Sequence, residues 1–117
     1  MLVVDDQEAI RDTLQVALDD EGFTVECASN GREALDLIGR WKPDVILLDL
    51  MMPVMDGWQF RVAQLQQDDL AAIPTVVCTA RTDAEARAIS MGAIAYLRKP
   101  LDFDYLLDLV EAHCPKP

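Results

Sequence analysis

Polar groups stand at the ends of four mostly apolar runs. Asp5 and Asp6 follow Leu2-Val3-Val4, Asp49 closes Val45-Ile46-Leu47-Leu48, Thr79 follows Val76-Val77-Cys78, and Lys99 follows Ala95-Tyr96-Leu97-Arg98. Short, branched apolar runs read as buried strands. If the strands are parallel, all of these groups meet at one edge of one sheet. Two carboxylates about 4 Å apart repel by about 1 kcal/mol in water and about 4 kcal/mol at an effective dielectric of 20. Gathering three of them needs compensation, because the whole stability of a domain is only about 5–15 kcal/mol. Hard oxygen ligands select a hard cation, and Mg²⁺ keeps several waters while taking one or two carboxylates directly. A metal beside a carboxylate, with a lysine and a hydroxyl at hand, is also what phosphoryl transfer requires: a nucleophile, cations that neutralise the equatorial oxygens, and donors that hold them. Taken singly, an Asp after a strand reads as a helix cap and a Thr as a turn residue. Together, at four strand ends, they point to an aspartate that accepts a phosphoryl group.

The elements that must position these groups can be followed along the chain. From Gln7 to Asp20 the residues Ile10, Leu14, Ala17 and Leu18 recur with helical spacing, and Gly22 closes the segment. Thr24 to Ala28 is a short strand. Asn30-Gly31 opens a second helix through Ala34, Leu35, Ile38 and Trp41, ended by Lys42-Pro43. A third helix starts near Gly57 and carries Phe60, Val62 and Leu65, before a polar stretch around Gln67 to Asp69 and Pro74. Thr75 to Cys78 is the fourth strand. Thr82-Asp83-Ala84-Glu85 fits a capping box for a helix that stops at Gly92. Ile94 to Arg98 is the fifth strand, and Asp102 caps a last helix with Phe103, Leu106, Leu107 and Val110 on one face, ended by Pro115. Five strands alternating with five helices specify an α/β fold, a five-stranded parallel sheet flanked by helices in a three-layer sandwich with right-handed crossovers. In such open sheets the functional crevice lies beyond the carboxyl ends of the strands, which is where all four polar positions fall.

A chain of 117 residues is large enough to bury a core without staples, so residues 1–117 are read as a single domain. The apolar stretches fall far short of the roughly 18 residues of a membrane span. No basic leader precedes an apolar segment, so secretion is not indicated. Of the three cysteines, Cys27 and Cys78 lie in apolar runs and are read as buried thiols, Cys114 sits in the tail, and an odd number without metal-ligand spacing suggests a reducing cytosol. A net charge of −11 disfavours direct nucleic-acid binding, which needs clustered Lys and Arg. Most of the acids fall on the polar faces of helices; Asp5, Asp6 and Asp49 are the exceptions.

Val3-Val4-Asp5-Asp6, Asp49-Leu50-Met51-Met52-Pro53-Val54-Met55-Asp56-Gly57, Thr79-Ala80 and Lys99-Pro100, in this order and spacing, resemble the receiver domain of two-component response regulators. The resemblance covers essentially the whole chain. It implies the flavodoxin-like strand order 2-1-3-4-5, which periodicity does not supply. It also implies that Asp49 takes a phosphoryl group from a phosphohistidine on a sensor histidine kinase or histidine phosphotransfer protein. Asp6 would bind Mg²⁺ directly, Asp5 largely through water, and Met51 through its backbone carbonyl. Lys99 would pair with Asp49 and then with a phosphoryl oxygen. Thr79 would donate its hydroxyl to the phosphoryl group, and Tyr96 would turn inward into the space Thr79 vacates. The added charge, roughly −1.5 to −2 by analogy with other phosphorylated side chains, would shift the domain between inactive and active populations. The partners implied are the phosphodonor protein and a downstream protein, a missing output domain or a second copy of the chain.

The resemblance makes Lys99-Pro100 a candidate cis bond, although only about 5–6% of X–Pro bonds in folded proteins are cis. Gly57 and Pro100 are read as structural, and Trp58, near the site loop, as a candidate fluorescence reporter. Met51 and Arg81 stand two residues beyond Asp49 and Thr79 and offer no carboxylate or amide to orient a water. Slow loss of the phosphoryl group is therefore expected. His113 is read as a surface residue of the last helix, not a phosphodonor. The expected role is a cytoplasmic signalling switch that catalyses only its own phosphorylation and dephosphorylation. Two alternatives belong to other classes. One is a phosphorylation-independent interaction module, which the intact acid, Thr and Lys set argues against. The other is a haloacid dehalogenase-type phosphatase, which would carry an acid where Met51 stands and usually a cap domain. Leu2-Val3-Val4 is short for a strand, an observation compatible with native residues missing at the start.

Overall fold

The computed structural model describes residues 1–80 and 85–114. Its strands are β1 (Leu2–Val4), β2 (Glu26–Ala28), β3 (Ile46–Asp49), β4 (Thr75–Thr79) and β5 (Ala95–Arg98). The helices are α1 (Glu8–Asp20), α2 (Gly31–Ile38), α3 (Gly57–Leu65), α4 (Asp68–Ala71), α5 (Glu85–Ser90) and α6 (Phe103–His113). All strand pairs are parallel and the order is β2-β1-β3-β4-β5, as the resemblance implied. The chain moves outward in one direction from β1 to β2, then crosses back to β3 and continues to β5, so the strand order reverses beside β1. In register, Val4 lies opposite Leu48, Asp49 opposite Cys78, and Thr79 opposite Arg98.

The two faces of the sheet follow from the alternation of side chains along a strand. Val3, Val45, Leu47, Val76 and Cys78 point to the face covered by Leu14 and Leu18 of α1 and Leu106 and Val110 of α6. Leu2, Val4, Ile46 and Leu48 point the other way, against Ala34 and Ile38 of α2 and Phe60 of α3. Leu50, Val77 and Ala88 extend that second face under α5. Helix starts match the sequence: Asn30 caps α2, Asp56 and Gln59 form a capping box on α3, and Asp102 caps α6. Gly22 and Gly92 close their helices at φ +93° and +75°, where a side chain would be strained. The capping box read at Thr82 to Glu85 and the stop at Pro115 lie outside the described residues. Among the described residues no helix is long and apolar enough to cross a membrane.

Two differences from the sequence reading share a cause. A sixth helix, the four-residue α4, interrupts the polar stretch between α3 and β4, and its Leu70 is buried. In α3 it is Gly57, Phe60, Arg61 and Gln64 that face inward, whereas Val62 and Leu65 are exposed. Gly57 seats the start of α3 on the backbone of β3, and Phe60 enters the core. Residues three and four apart share a helix face, so the phase set by those two carries Arg61 and Gln64 inside. There they are satisfied by one another and by the backbone. Arg61 donates to Gln64 Oε1 at 2.9 Å, Thr75 Oγ1 at 3.2 Å, the Met91 carbonyl at 3.0 Å and the Gly92 carbonyl at 3.4 Å. Gln64 donates to the Leu70 carbonyl at 2.8 Å, which holds α4 against α3. Cys114, read as a tail residue, is buried like Cys78, whereas Cys27 on the edge strand β2 is only half-buried, and all three cysteines are free thiols.

Candidate functional site

The carboxyl ends of β1 and β3, the inner pair beside the point where strand order reverses, bring Asp5 and Asp49 to the same level of the sheet. Both are buried, 4% and 5% exposed, while Asp6 opens to solvent. One carboxylate oxygen from each of the three lies within 4.8 Å of the others. Lys99 crosses from the end of β5 and donates to Asp5 Oδ2 at 2.8 Å and Asp49 Oδ2 at 3.2 Å. Its backbone N–H donates to the Thr79 carbonyl at 3.0 Å, so the lysine leaves the sheet tied to the end of β4. The next bond, Lys99-Pro100, is cis.

Electrostatics divide the site unequally. Burial raises the Asp49 carboxyl above its ordinary value; the Met51 N–H opposes this, the charge of Asp5 adds to it, and Lys99 opposes it again, with burial and Asp5 prevailing. The Met51 N–H is held at 3.2 Å from Asp49 Oδ1, so each oxygen of Asp49 has one donor among the described residues. For Lys99 burial works against the ammonium, but the hydrogen bond it donates to Asp5 and the charges of Asp49 and Asp5 outweigh it and hold the lysine above its ordinary value. Asp5 has both oxygens engaged, Oδ1 by the Gln7 N–H at 2.9 Å and Oδ2 by Lys99. Asp6 is the acid that stands open. This donor set fits a hard, partly hydrated divalent cation, since it offers only oxygens and leaves a net negative site after one lysine is counted.

The remaining predicted residues surround this centre. Thr79 is fully buried at the end of β4, one residue beyond the position that pairs with Asp49. Tyr96 is half-buried on β5 and packs with Trp58 against Leu50, Val77 and Ala88. Met51 is 53% exposed over the β3–α3 loop. Gly57 closes that loop with its N–H on the Leu50 carbonyl at 3.2 Å. Arg81 lies outside the described residues. His113 is exposed on the last turn of α6, where its Nδ1 lies 3.0 Å from the Leu109 carbonyl.

Two contacts at the site were not anticipated. Gln7, read only as the start of a helix, reaches Lys99 Nζ with its side-chain oxygen at 3.2 Å. Arg11 donates to the Asp5 carbonyl at 2.6 Å and fixes the end of β1. Their position one turn apart at the start of α1, directly after Asp5-Asp6, was the available signal. The β3–α3 loop also contains a tight turn in which the Met55 N–H meets the Pro53 carbonyl at 2.8 Å around Val54, at φ +69°.

The fold and the acidic site define a receiver, and the comparisons agree: the chain belongs to the response regulator receiver domain family, whose pattern matches residues 1–111. It is 43% identical over 115 residues to the response regulator MprA of Mycolicibacterium vanbaalenii, covering 96% of this chain and 48% of that protein. It is 34% identical over 113 residues to the probable transcriptional regulator ycf29 of Porphyra purpurea, covering 95% of this chain and 54% of that one. The chain thus spans about half the length of the curated relatives it matches. Among solved structures, chemotaxis protein CheY4 of Vibrio cholerae superposes with a TM-score of 0.86 at 35% identity, over 96% of this chain and 95% of that one. Response regulator TrrA of Thermotoga maritima, solved in complex with Mg²⁺-BeF, gives 0.84 at 30% identity over 95% of each chain.

Proposed function

We propose that residues 1–117 form one receiver domain in which Asp49 accepts a phosphoryl group from a phosphohistidine of a sensor histidine kinase or histidine phosphotransfer protein. In this step an Asp49 carboxylate oxygen attacks phosphorus, the P–N bond to the imidazole breaks, and the imidazole leaves with its electron pair and takes up a proton. The observation that carries the reading is the Lys99 ammonium shared between Asp49 and Asp5 at strand ends where a third acid, Asp6, stands open. Asp6, Asp49 and the Met51 carbonyl would hold Mg²⁺, with Asp5 acting largely through water, which accords with both Asp5 oxygens already being engaged. When bound, the ion supplies positive charge to the phosphoryl oxygens.

Lys99 pairs with Asp49 before transfer and with a phosphoryl oxygen after it. Thr79 donates its hydroxyl to the same group, and Tyr96 moves inward behind it. The switch catalyses only its own phosphorylation and dephosphorylation. It acts through the face of α5, β5 and α6, where Ile89, Ile94 and Tyr105 are 68%, 43% and 50% exposed and suit a protein partner, an output region or a second copy. The charge of −11 supports protein contacts over nucleic acid, and the free thiols support a cytoplasmic setting.

The test is incubation of the wild type and Asp49→Asn with acetyl phosphate and Mg²⁺. A mass increase of one phosphoryl group, stable to acid and lost with hydroxylamine, is expected in the wild type alone. Equal labelling of both proteins, or none in the wild type, overturns the proposal.

A further inference from the structure

Gln7 joins the two sides of the acidic site. Its backbone N–H donates to Asp5 Oδ1 at 2.9 Å and its side-chain Oε1 accepts from Lys99 Nζ at 3.2 Å. It occupies the N-cap of α1, where a side-chain oxygen ordinarily accepts a bond from the N2 or N3 N–H, yet its side chain makes no cap bond. The amide reaches the opposite way, to the lysine. An ammonium has three protons and accepts nothing. Among the described residues, three acceptors surround Nζ: Asp5 Oδ2, Asp49 Oδ2 and Gln7 Oε1, at 2.8, 3.2 and 3.2 Å. The first two belong to carboxylates that an incoming cation or phosphoryl group engages, whereas the amide carries no charge to be neutralised. A carboxylate at this position would add a fourth acid to the cluster, and an apolar side chain would leave one ammonium proton to solvent.

We propose that Gln7 is a positioning residue for Lys99: its amide oxygen holds the ammonium in front of Asp49, so that the lysine stays aimed at the arriving phosphoryl group when its carboxylate partners are drawn away. The inference rests on the phosphoryl-accepting reading of Asp49. It differs from a helix-capping role, because the side chain is turned from the helix to the site.

Two variants separate these roles. Gln7→Ala removes the acceptor, and Gln7→Ser removes it while installing a strong N-cap. The maximal rate of labelling by acetyl phosphate is expected to fall about three- to tenfold in both, as the net loss of one hydrogen bond that water can partly replace implies. The Mg²⁺ concentration at half-maximal rate should change less than twofold, and the thermal midpoint of Gln7→Ser should rise. Unchanged rates in both variants, or a rate restored in Gln7→Ser, overturn the inference. A direct readout is the ¹⁵N signal of the Lys99 ammonium without phosphodonor, which should broaden through faster proton exchange in Gln7→Ala. If the wild type takes no phosphoryl group, the reading of Asp49 fails by itself. The ammonium signal then decides whether Gln7 holds Lys99, and a width equal to wild type overturns it.

Discussion

Gly57 lies so close to Asp49 that a Cβ on it would stand 2.5 Å from the Asp49 carbonyl oxygen, and 2.8 Å from Leu50 Cα. Both are backbone atoms of the strand end that carries the acid, so neither can swing aside. The requirement at residue 57 is therefore space and not left-handed backbone. Gly57→Ala is expected to lower stability by about 1–3 kcal/mol, the range for forcing extra atoms into a packed interior. It should also slow labelling of Asp49, because the strand end or α3 must shift. Urea unfolding and the acetyl phosphate assay check both, and a variant of unchanged stability contradicts the close approach.

Asp49 should be a stability cost at neutral pH. Its folded pKa is raised, chiefly by burial. A raised group contributes fully to stability below the unfolded value, about 3.9, and that contribution is lost as pH rises through the folded value. Asp49→Asn is therefore expected to stabilise the protein at pH 7 by about 1 kcal/mol, or about 4 °C in thermal midpoint. The difference should shrink as pH falls toward 4. An Asn variant less stable than wild type at pH 7 would contradict the balance of forces at the site.

Removing Lys99 should expose the cost of the acids it holds. Its side chain is 14% exposed and that of Asp49 5%, so the pair is shielded from solvent without being sealed. Lys99→Ala is expected to cost about 2–3 kcal/mol, somewhat under the usual penalty for breaking a fully buried pair. Millimolar Mg²⁺ should recover most of that loss, and Asp6→Ala should abolish the recovery. Thermal melts in Mg²⁺ and in a chelator measure both, and a melt insensitive to Mg²⁺ in every variant would count against cation binding.

Arg61 is 5% exposed and its described acceptors are neutral. Arg61→Ala leaves Gln64 Oε1 and two carbonyls short of a donor, so a loss of about 2–4 kcal/mol is expected. Replacing both Arg61 and Gln64 by Leu should cost less than the sum of the single changes, because the polar groups that need one another leave together. Additive costs in urea would show that the two act separately.

If Asp49 takes a phosphoryl group as proposed, Met51 should set how long it stays modified. It presents a thioether where an amide could orient a water, so Met51→Asn is expected to speed phosphoryl loss about three- to tenfold. Decay of the labelled protein followed by mass gives the rate, and slower decay in the variant would refute the assignment.

Four of the five strands were legible because short apolar runs ended in polar residues, and helix starts were legible at Asn30, near Gly57 and at Asp102, where side chains of Asn30, Asp56 and Asp102 satisfy local N–H groups whatever the rest of the chain does. Arg61 and Gln64 were not legible as core. Polar side chains are read as outward until the acceptors that satisfy them are known, and Met91, Gly92 and Thr75 come together with them only in the folded chain. The short α4 escaped for a related reason, since four mostly polar residues carry no periodicity.

The amino-acid sequence by itself determined that Asp5, Asp6, Asp49, Thr79 and Lys99 stand at strand ends, because the apolar run and its polar stop are properties of neighbouring residues; burial was legible for β1, β3 and β4, whereas β5, at the sheet edge, buries only Leu97. The strand order entered through resemblance, not periodicity. Tertiary structure alone decided that Lys99 shares its ammonium with Asp5 as well as Asp49, that Gln7 is a third acceptor among the described residues, and that Gly57 is needed for clearance. These depend on distances between segments as much as 94 residues apart, which only the packed sheet and its covering helices set.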